Sequence, residues 1–434
     1  MAEVKTSLVI MCPIGTRSGY GERSRDLVRA LIRLDKYDIK IISTRWGNTP
    51  MNALSPDDFD IISRIHVGPL QQQPDIFMQV TIPSEFQKVG KYNIGVTAGI
   101  ETTICDSSWL EGCNRMDLIL TSSEHSKNVF QQTTYEKKDT NTNQTIGHLK
   151  LETPIEVVFE GIRLDTFLKD YQKSSQIEEV FSGIKEDFNF LFVGHWLPGA
   201  FTEDRKNVGG LIKTFYEAFK NKINAPGLIL KTSGGTPSVL DRNNIEMQIR
   251  AIKDSMETKI LPNVYVVYGD LTDSEMSDLY AHPKVKAHIS FTRGEGFGRP
   301  LLEAALTSKP ILVSDWSGHK DFLNSESSIL LKGELTKVHP SVVWKGVINE
   351  GTDWFTVDYG TAIAYMRDVF ENYKAYLEKS RKTHHHVKTN FSFDSMVSKL
   401  DSILSSKVPE FPKQVQLKLP QLKKIELPKL KKVE

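Results

Sequence analysis

Two kinds of apolar pattern alternate along the first 170 residues. Residues 7–14 form a nearly continuous apolar run, as expected of a strand buried on both faces. Leu27, Val28, Leu31, Ile32 and Leu34 then recur at helical spacing. Further strand-like runs follow at 37–43, 74–80, 92–97 and from Pro154. The cycle restarts at 188–193, with a helical set at Leu211, Ile212, Phe215 and Phe219. It continues through runs at 228–231 and 263–268, a short helix carrying Glu275, Met276 and Leu279, and runs at 287–291 and 310–314. Strands alternating with helices in two blocks predict an α/β class: two Rossmann-like domains facing across a cleft at the C-terminal ends of their strands. The blocks are residues 1–170 and 186–357, joined by a polar linker at 169–187. Residues 358–405 read as two helical stretches with His384, His385 and His386 between them. Residues 133–145 are polar and read as a mobile loop.

The most informative stretch links the runs at 287–291 and 310–314: Thr292-Arg-Gly-Glu295-Gly-Phe-Gly-Arg-Pro300-Leu-Leu-Glu303-Ala. Gly294, Gly296 and Gly298 permit sharp turns and a close backbone approach to a ligand. Pro300 suits a helix start, because its missing N–H would be unpaired there. Backbone N–H groups at such a turn suit a phosphate, and two carboxylates, Glu295 and Glu303, bracket it.

This string resembles the donor-site signature of the retaining nucleotide-sugar glycosyltransferases of family 4, which have the GT-B fold. A second segment is similar to that family too: Glu101-Thr-Thr, Trp109, Cys113-Asn114, Asp117-Leu-Ile and Ser123-Glu124. So is Gly161-Ile-Arg-Leu-Asp165-Thr-Phe167, which matches the exit from the N-domain. The resemblance implies that 1–170 is the acceptor domain and 186–357 the donor domain, with the last helices packing back onto the N-domain. It implies that Glu295 orients the donor sugar and Glu303 takes the ribose hydroxyls. Lys206, with Arg205 beside it, would hold the diphosphate, helped by the backbone of Gly296, Phe297 and Gly298. Ser317 and Gly318 would frame the donor, and Glu101, Gly19 and Gly21 would border the acceptor. The chain departs from the family after Gly194, where His195 replaces the usual Arg. Either Arg205 takes over its task, or activity or donor choice differs. The donor would be a UDP- or GDP-sugar, with no further cofactor and no metal, and the acceptor a saccharide, a lipid or a small molecule.

Composition narrows this little. The chain has 434 residues, 39% of them hydrophobic and 25% charged, as in globular proteins, and a net charge of +1. That balance gives no global attraction to nucleic acid or membrane. Residues 1–15 lack a basic stretch followed by a long apolar core, and the three cysteines have no paired spacing, so a reducing cytoplasm is expected. Asp58-Phe-Asp60 resembles a metal-binding Asp-x-Asp but sits among ordinary polar residues, so it reads as surface. The first glycine loop, with Gly15, Gly19 and Gly21, lacks the dinucleotide-binding spacing. Residues 406–434 form a separate tail, with prolines at 412, 420 and 428 and eight Lys against three Glu. Regular proline excludes a continuous helix. A flexible tail, or one docking on a protein, an anionic membrane surface or DNA, fits this pattern. The competing functions are a DNA-base glycosyltransferase, a non-catalytic nucleotide-sugar binder and a phosphorylase of similar fold.

Overall fold

The computed structural model describes residues 5–412 apart from 168–170, 198, 200–201, 235–237 and 259. Most of the basic tail, from residue 413 on, lies outside the described residues.

The N-terminal half carries β1 (Thr6–Cys12), β2 (Tyr37–Ser43), β3 (Ile76–Val80), β4 (Tyr92–Val96), β5 (Leu118–Thr121), β6 (Tyr135–Lys138), β7 (Thr145–Leu149) and β8 (Ile155–Val157). Six of these form a parallel sheet in the order β2-β1-β3-β4-β5-β8. Its register sets Ile10 beside Ile41 and Met78, so neighbouring strands stack apolar side chains on one face. That face packs on helix Gly19–Leu34 through Leu27, Val28 and Leu31. Ser18 caps this helix by accepting a hydrogen bond from Gly21 N at 3.0 Å.

The C-terminal half carries β9 (Asn189–Val193), β10 (Gly227–Lys231), β11 (Val264–Val267), β12 (Val285–Ser290), β13 (Ile311–Ser314), β14 (Ile329–Leu331), β15 (Gly333–Lys337) and β16 (Asp353–Val357). Its parallel sheet runs β11-β10-β9-β12-β13-β14, buried on both faces. Two facing Rossmann-like domains are therefore present, as the alternating pattern predicts. Helix Phe393–Lys407 returns to the first domain and lays Met396, Leu400, Ile403 and Leu404 against the core beneath helix Gly19–Leu34. Each such burial stabilises by about 1.5–3 kcal/mol. Among the described residues, no helix is long and apolar enough to cross a membrane.

Three readings of local structure change, and one hairpin was not read at all. Residues 133–145 are largely an antiparallel hairpin, β6 with β7, whose turn is fixed by the Asp139 carboxylate accepting from Asn141 N and Thr142 N, each at 2.8 Å. Its side chains are mostly exposed and polar, so no alternation marks it. The linker contains helix Ser175–Ser182, which buries Ile177 and Phe181. Residues 358–405 hold three helices, Tyr359–Glu371, Tyr373–Asn390 and Phe393–Lys407, and the His run lies within the second. That helix buries Ser380, Thr383 and Val387 at helical spacing. Small polar residues on its inner face hide the period from an apolar count. Strands β15 and β16 form a hairpin with no counterpart in the sequence reading.

Candidate active site

The chain leaves β12 through the glycine loop and enters helix Arg299–Ala305, with Gly298 in the left-handed region at φ +99°. The glycines are required first by contact between the domains. A Cβ on Gly294 would lie 2.0 Å from Glu101 O, and one on Gly296 would lie 2.2 Å from Ala98 O. The carbonyl of Gly296 accepts hydrogen bonds from Ser123 Oγ at 2.5 Å and Ser122 Oγ at 3.1 Å. The loop is thus pressed against the ends of β4 and β5.

From the other side, the turn between β9 and helix Val208–Phe219 brings in two cations. Asp204 ties this turn down by accepting from Val208 N at 3.2 Å. Lys206 Nζ makes an ion pair with Glu295 Oε1, and both side chains are buried. Arg205 Nη1 donates to Gly294 O at 2.9 Å and reaches Glu295 Oε2 at 3.4 Å and Glu101 Oε1 at 3.8 Å. Burial alone would raise the pKa of Glu295, but Lys206 and Arg205 outweigh it and hold the carboxyl down at about 2. Glu101 goes the other way: burial raises it, Arg205 opposes and Glu295 reinforces.

Ser317 stands at φ +81°, a strained setting for a residue with a Cβ. Its Oγ accepts from Glu295 N at 2.9 Å, and Gly318 N donates to Glu295 O at 3.0 Å. This turn braces the glutamate's backbone. A Cβ on Gly318 would lie 2.3 Å from Gly296 O, so the position has no room for one.

Glu303 lies at the far end of the loop. Its Oε2 accepts from Tyr280 Oη at 3.0 Å and its Oε1 from Arg299 Nε at 3.1 Å. Burial raises its pKa to about 7 although Arg299 opposes. Arg299 also crosses the cleft, pairing with Asp26 and, at 3.2 Å, with Glu22 Oε1 on helix Gly19–Leu34. One guanidinium therefore links the motif's second glutamate to the opposite domain.

The remaining candidates separate. His195 turns to Ser233 Oγ, 3.0 Å away, while Arg205 sits on the acidic cluster. Phe297 is buried against Phe322, with ring centroids 5.1 Å apart, which leaves only its backbone for a ligand. Gly21 is demanded by packing, since a Cβ would lie 2.2 Å from Thr16 O, whereas Gly19 has open space beside it. Asp58 pairs with Arg29 at 2.9 Å. Among the described residues, no group of three or more His, Cys, Asp or Glu is arranged to hold a metal ion.

Next to Glu101 a cavity of about 450 Å³ opens at the C-terminal ends of the N-domain strands, lined in part by Tyr20, Trp46, Glu85, Trp109 and Trp344. Tyr20 and Trp46 stack with centroids 3.9 Å apart. Trp344 comes from the C-terminal domain, on the connection between β15 and β16. That connection is anchored across the cleft by Asn349 Nδ2 to Asp106 Oδ2 at 2.8 Å and by Asp353 N to Thr103 Oγ1 at 3.0 Å. The sequence reading missed Trp46, Trp344, Tyr280 and Arg299. Only Arg299 carried a signal, being a charge inside the motif itself.

No protein-family model and no curated protein matches the chain. Solved structures do. The HepE protein of Anabaena in complex with UDP-glucose aligns with a TM-score of 0.59 and 13% identity, covering 92% of this chain and 99% of that one. A glycosyltransferase from Rickettsia africae aligns at 0.59 with 12% identity, over 93% and 98% of the two chains. Sucrose-phosphate synthase from Thermosynechococcus elongatus aligns at 0.59 with 10% identity, over 93% and 99%. Identities this low speak to architecture, and with the two six-stranded parallel sheets they give the chain the GT-B fold, with its candidate site where the two domains meet.

Proposed function

We propose that this chain is a retaining glycosyltransferase that moves a sugar from a nucleoside diphosphate sugar to a hydroxyl acceptor. The observation that supports it is the convergence of Lys206 and Arg205 on Glu295 at the floor of the interdomain cleft. The two cations share Glu295, with Glu101 farther off at 3.8 Å from Arg205, and an entering diphosphate would compete with these carboxylates for both of them. In the transfer, the acceptor oxygen bonds to C1 of the sugar as the bond from C1 to the phosphate oxygen breaks. The acceptor proton leaves with the nucleoside diphosphate, on whose face the acceptor attacks. Negative charge grows on the departing diphosphate, where fixed cations and amides lower the barrier most. Lys206 and Arg205 supply that charge, Glu295 turns to the sugar hydroxyls, and Glu303 accepts from the ribose. Holding the acceptor against C1 supplies the rest. HepE is described in complex with UDP-glucose, which favours a UDP-sugar as the first donor to try.

The test is release of UDP or GDP from a panel of nucleotide sugars, with the anomeric configuration of the product read by NMR. Lys206→Ala is expected to lower turnover by about 10²–10³-fold, with unchanged far-UV circular dichroism. Wild-type turnover in that variant removes the assignment, and an inverted product removes retention.

A further inference from the structure

We propose that the cavity beside Glu101 is a subsite for a neutral saccharide, so that the acceptor is an uncharged sugar rather than a nucleic acid, a phospholipid or a sugar phosphate. This rests on the glycosyl-transfer reading and adds the class of acceptor to it.

The argument starts from position. The cavity's inner wall is formed by Ala98, Gly99 and Glu101. Ala98 and Gly99 touch Gly296 of the glycine loop, and Glu101 lies 3.8 Å from Arg205 Nη1. A ligand in the cavity therefore ends where the diphosphate cations begin. The volume of about 450 Å³ falls within the usual range of small-molecule sites.

The lining is aromatic and acidic together. Tyr20 and Trp46 form one stacked pair, and Trp344 on the β15–β16 connection is 64% exposed although it borders the cavity. Broad aromatic faces with polar edges match the C–H faces of a pyranose ring. Trp109 is only 3% exposed, yet its indole N–H has no hydrogen-bond partner. Glu85 and Glu101 supply acceptors for sugar hydroxyls.

Charge then separates the candidate ligands. The lining contains one cation, Arg45, against two carboxylates, Glu85 and Glu101. A phosphate would find no excess of positive charge there, because Arg45 is the one cation of the lining and Arg205 is already shared by Glu101 and Glu295. An acyl chain would strip water from two carboxylates without replacing its hydrogen bonds. A neutral sugar needs no such charge and replaces those hydrogen bonds.

Saturation-transfer NMR on the full chain, with and without UDP, tests this against methyl hexopyranosides, N-acetylglucosamine and maltose. Glucose 6-phosphate and a single-stranded oligodeoxynucleotide serve as charged probes, and phosphatidylglycerol vesicles are tested by flotation. At least one neutral sugar is expected to bind, with glucose 6-phosphate at least about tenfold weaker. Trp344→Ala should weaken sugar binding by about tenfold or more. Glu85→Gln should narrow the gap between the neutral sugar and its phosphate. The proposal is overturned if no neutral sugar binds, if a charged probe binds as well or better, or if Trp344→Ala changes nothing. A missing UDP-induced rise in melting temperature would instead count against the glycosyl-transfer reading, so the two failures are distinguishable.

Discussion

The two walls of the cleft solve recognition differently. The wall from the C-terminal domain is dense in charge: Lys206 and Arg205 meet Glu295, and Arg299 meets Glu303. The cavity in the N-terminal wall presents Tyr20, Trp46 and Trp109 with two carboxylates and one arginine, apart from Glu22 and Asp26, which meet Arg299. Paired charges in a buried place can be redistributed when an anion enters. Flat aromatic faces select by shape and tolerate variety in the hydroxyls they cover. The contrast fits a site that holds one chemically constant partner, a diphosphate, on one side and a more variable one on the other.

The largest expected effect is on the charged wall, where Lys206→Ala should remove most turnover, as argued above. Next comes the link between the walls. Arg299→Ala would leave Asp26, Glu22 and Glu303 facing each other without their shared guanidinium. Loss of one partner from a buried ion cluster costs about 3–5 kcal/mol. Urea denaturation should show a loss of that order. A midpoint equal to that of the wild type would mean that the walls are not held together this way.

A smaller effect separates the two glutamates of the motif. Glu295 is held at about 2 and Glu303 is raised to about 7. For Glu303 the folded value lies above its ordinary value, so the stability carried by its protonated form is complete below about pH 4.5. It is lost as pH rises through 7. Wild type should therefore lose up to about 3 kcal/mol relative to Glu303→Gln between these limits. Paired denaturation curves at pH 4.5 and pH 8 measure this, since other titrating groups cancel in the difference. A constant difference would place Glu303 in a more solvated setting.

The same contrast explains what was legible in the sequence. Glu295 and Glu303 lie within one short segment, so their string could be read directly, and the βα alternation yielded five of the six strands in each sheet and the strand-end cleft, with β5 and β14 too short to stand out. The aromatic wall draws on residues 20, 46, 109 and 344, from four separate segments, and no local pattern joins them. Arg299 looks like a solvated charge until Asp26, 273 residues earlier, is seen against it. The β15–β16 hairpin was hidden because β15 is mostly exposed, so its inward positions do not stand out as apolar. Gly21 shows the opposite trap, since a glycine that suggests a ligand can be fixed by packing against Thr16.

The central claim is that a diphosphate takes the place beside Lys206 that Glu295 now holds alone. Calorimetric titration of UDP into the wild type and into Lys206→Ala tests it most directly. The account predicts saturable binding to the wild type that weakens by at least about tenfold in the variant. Equal affinity for the two proteins, or no binding to the wild type, would contradict it.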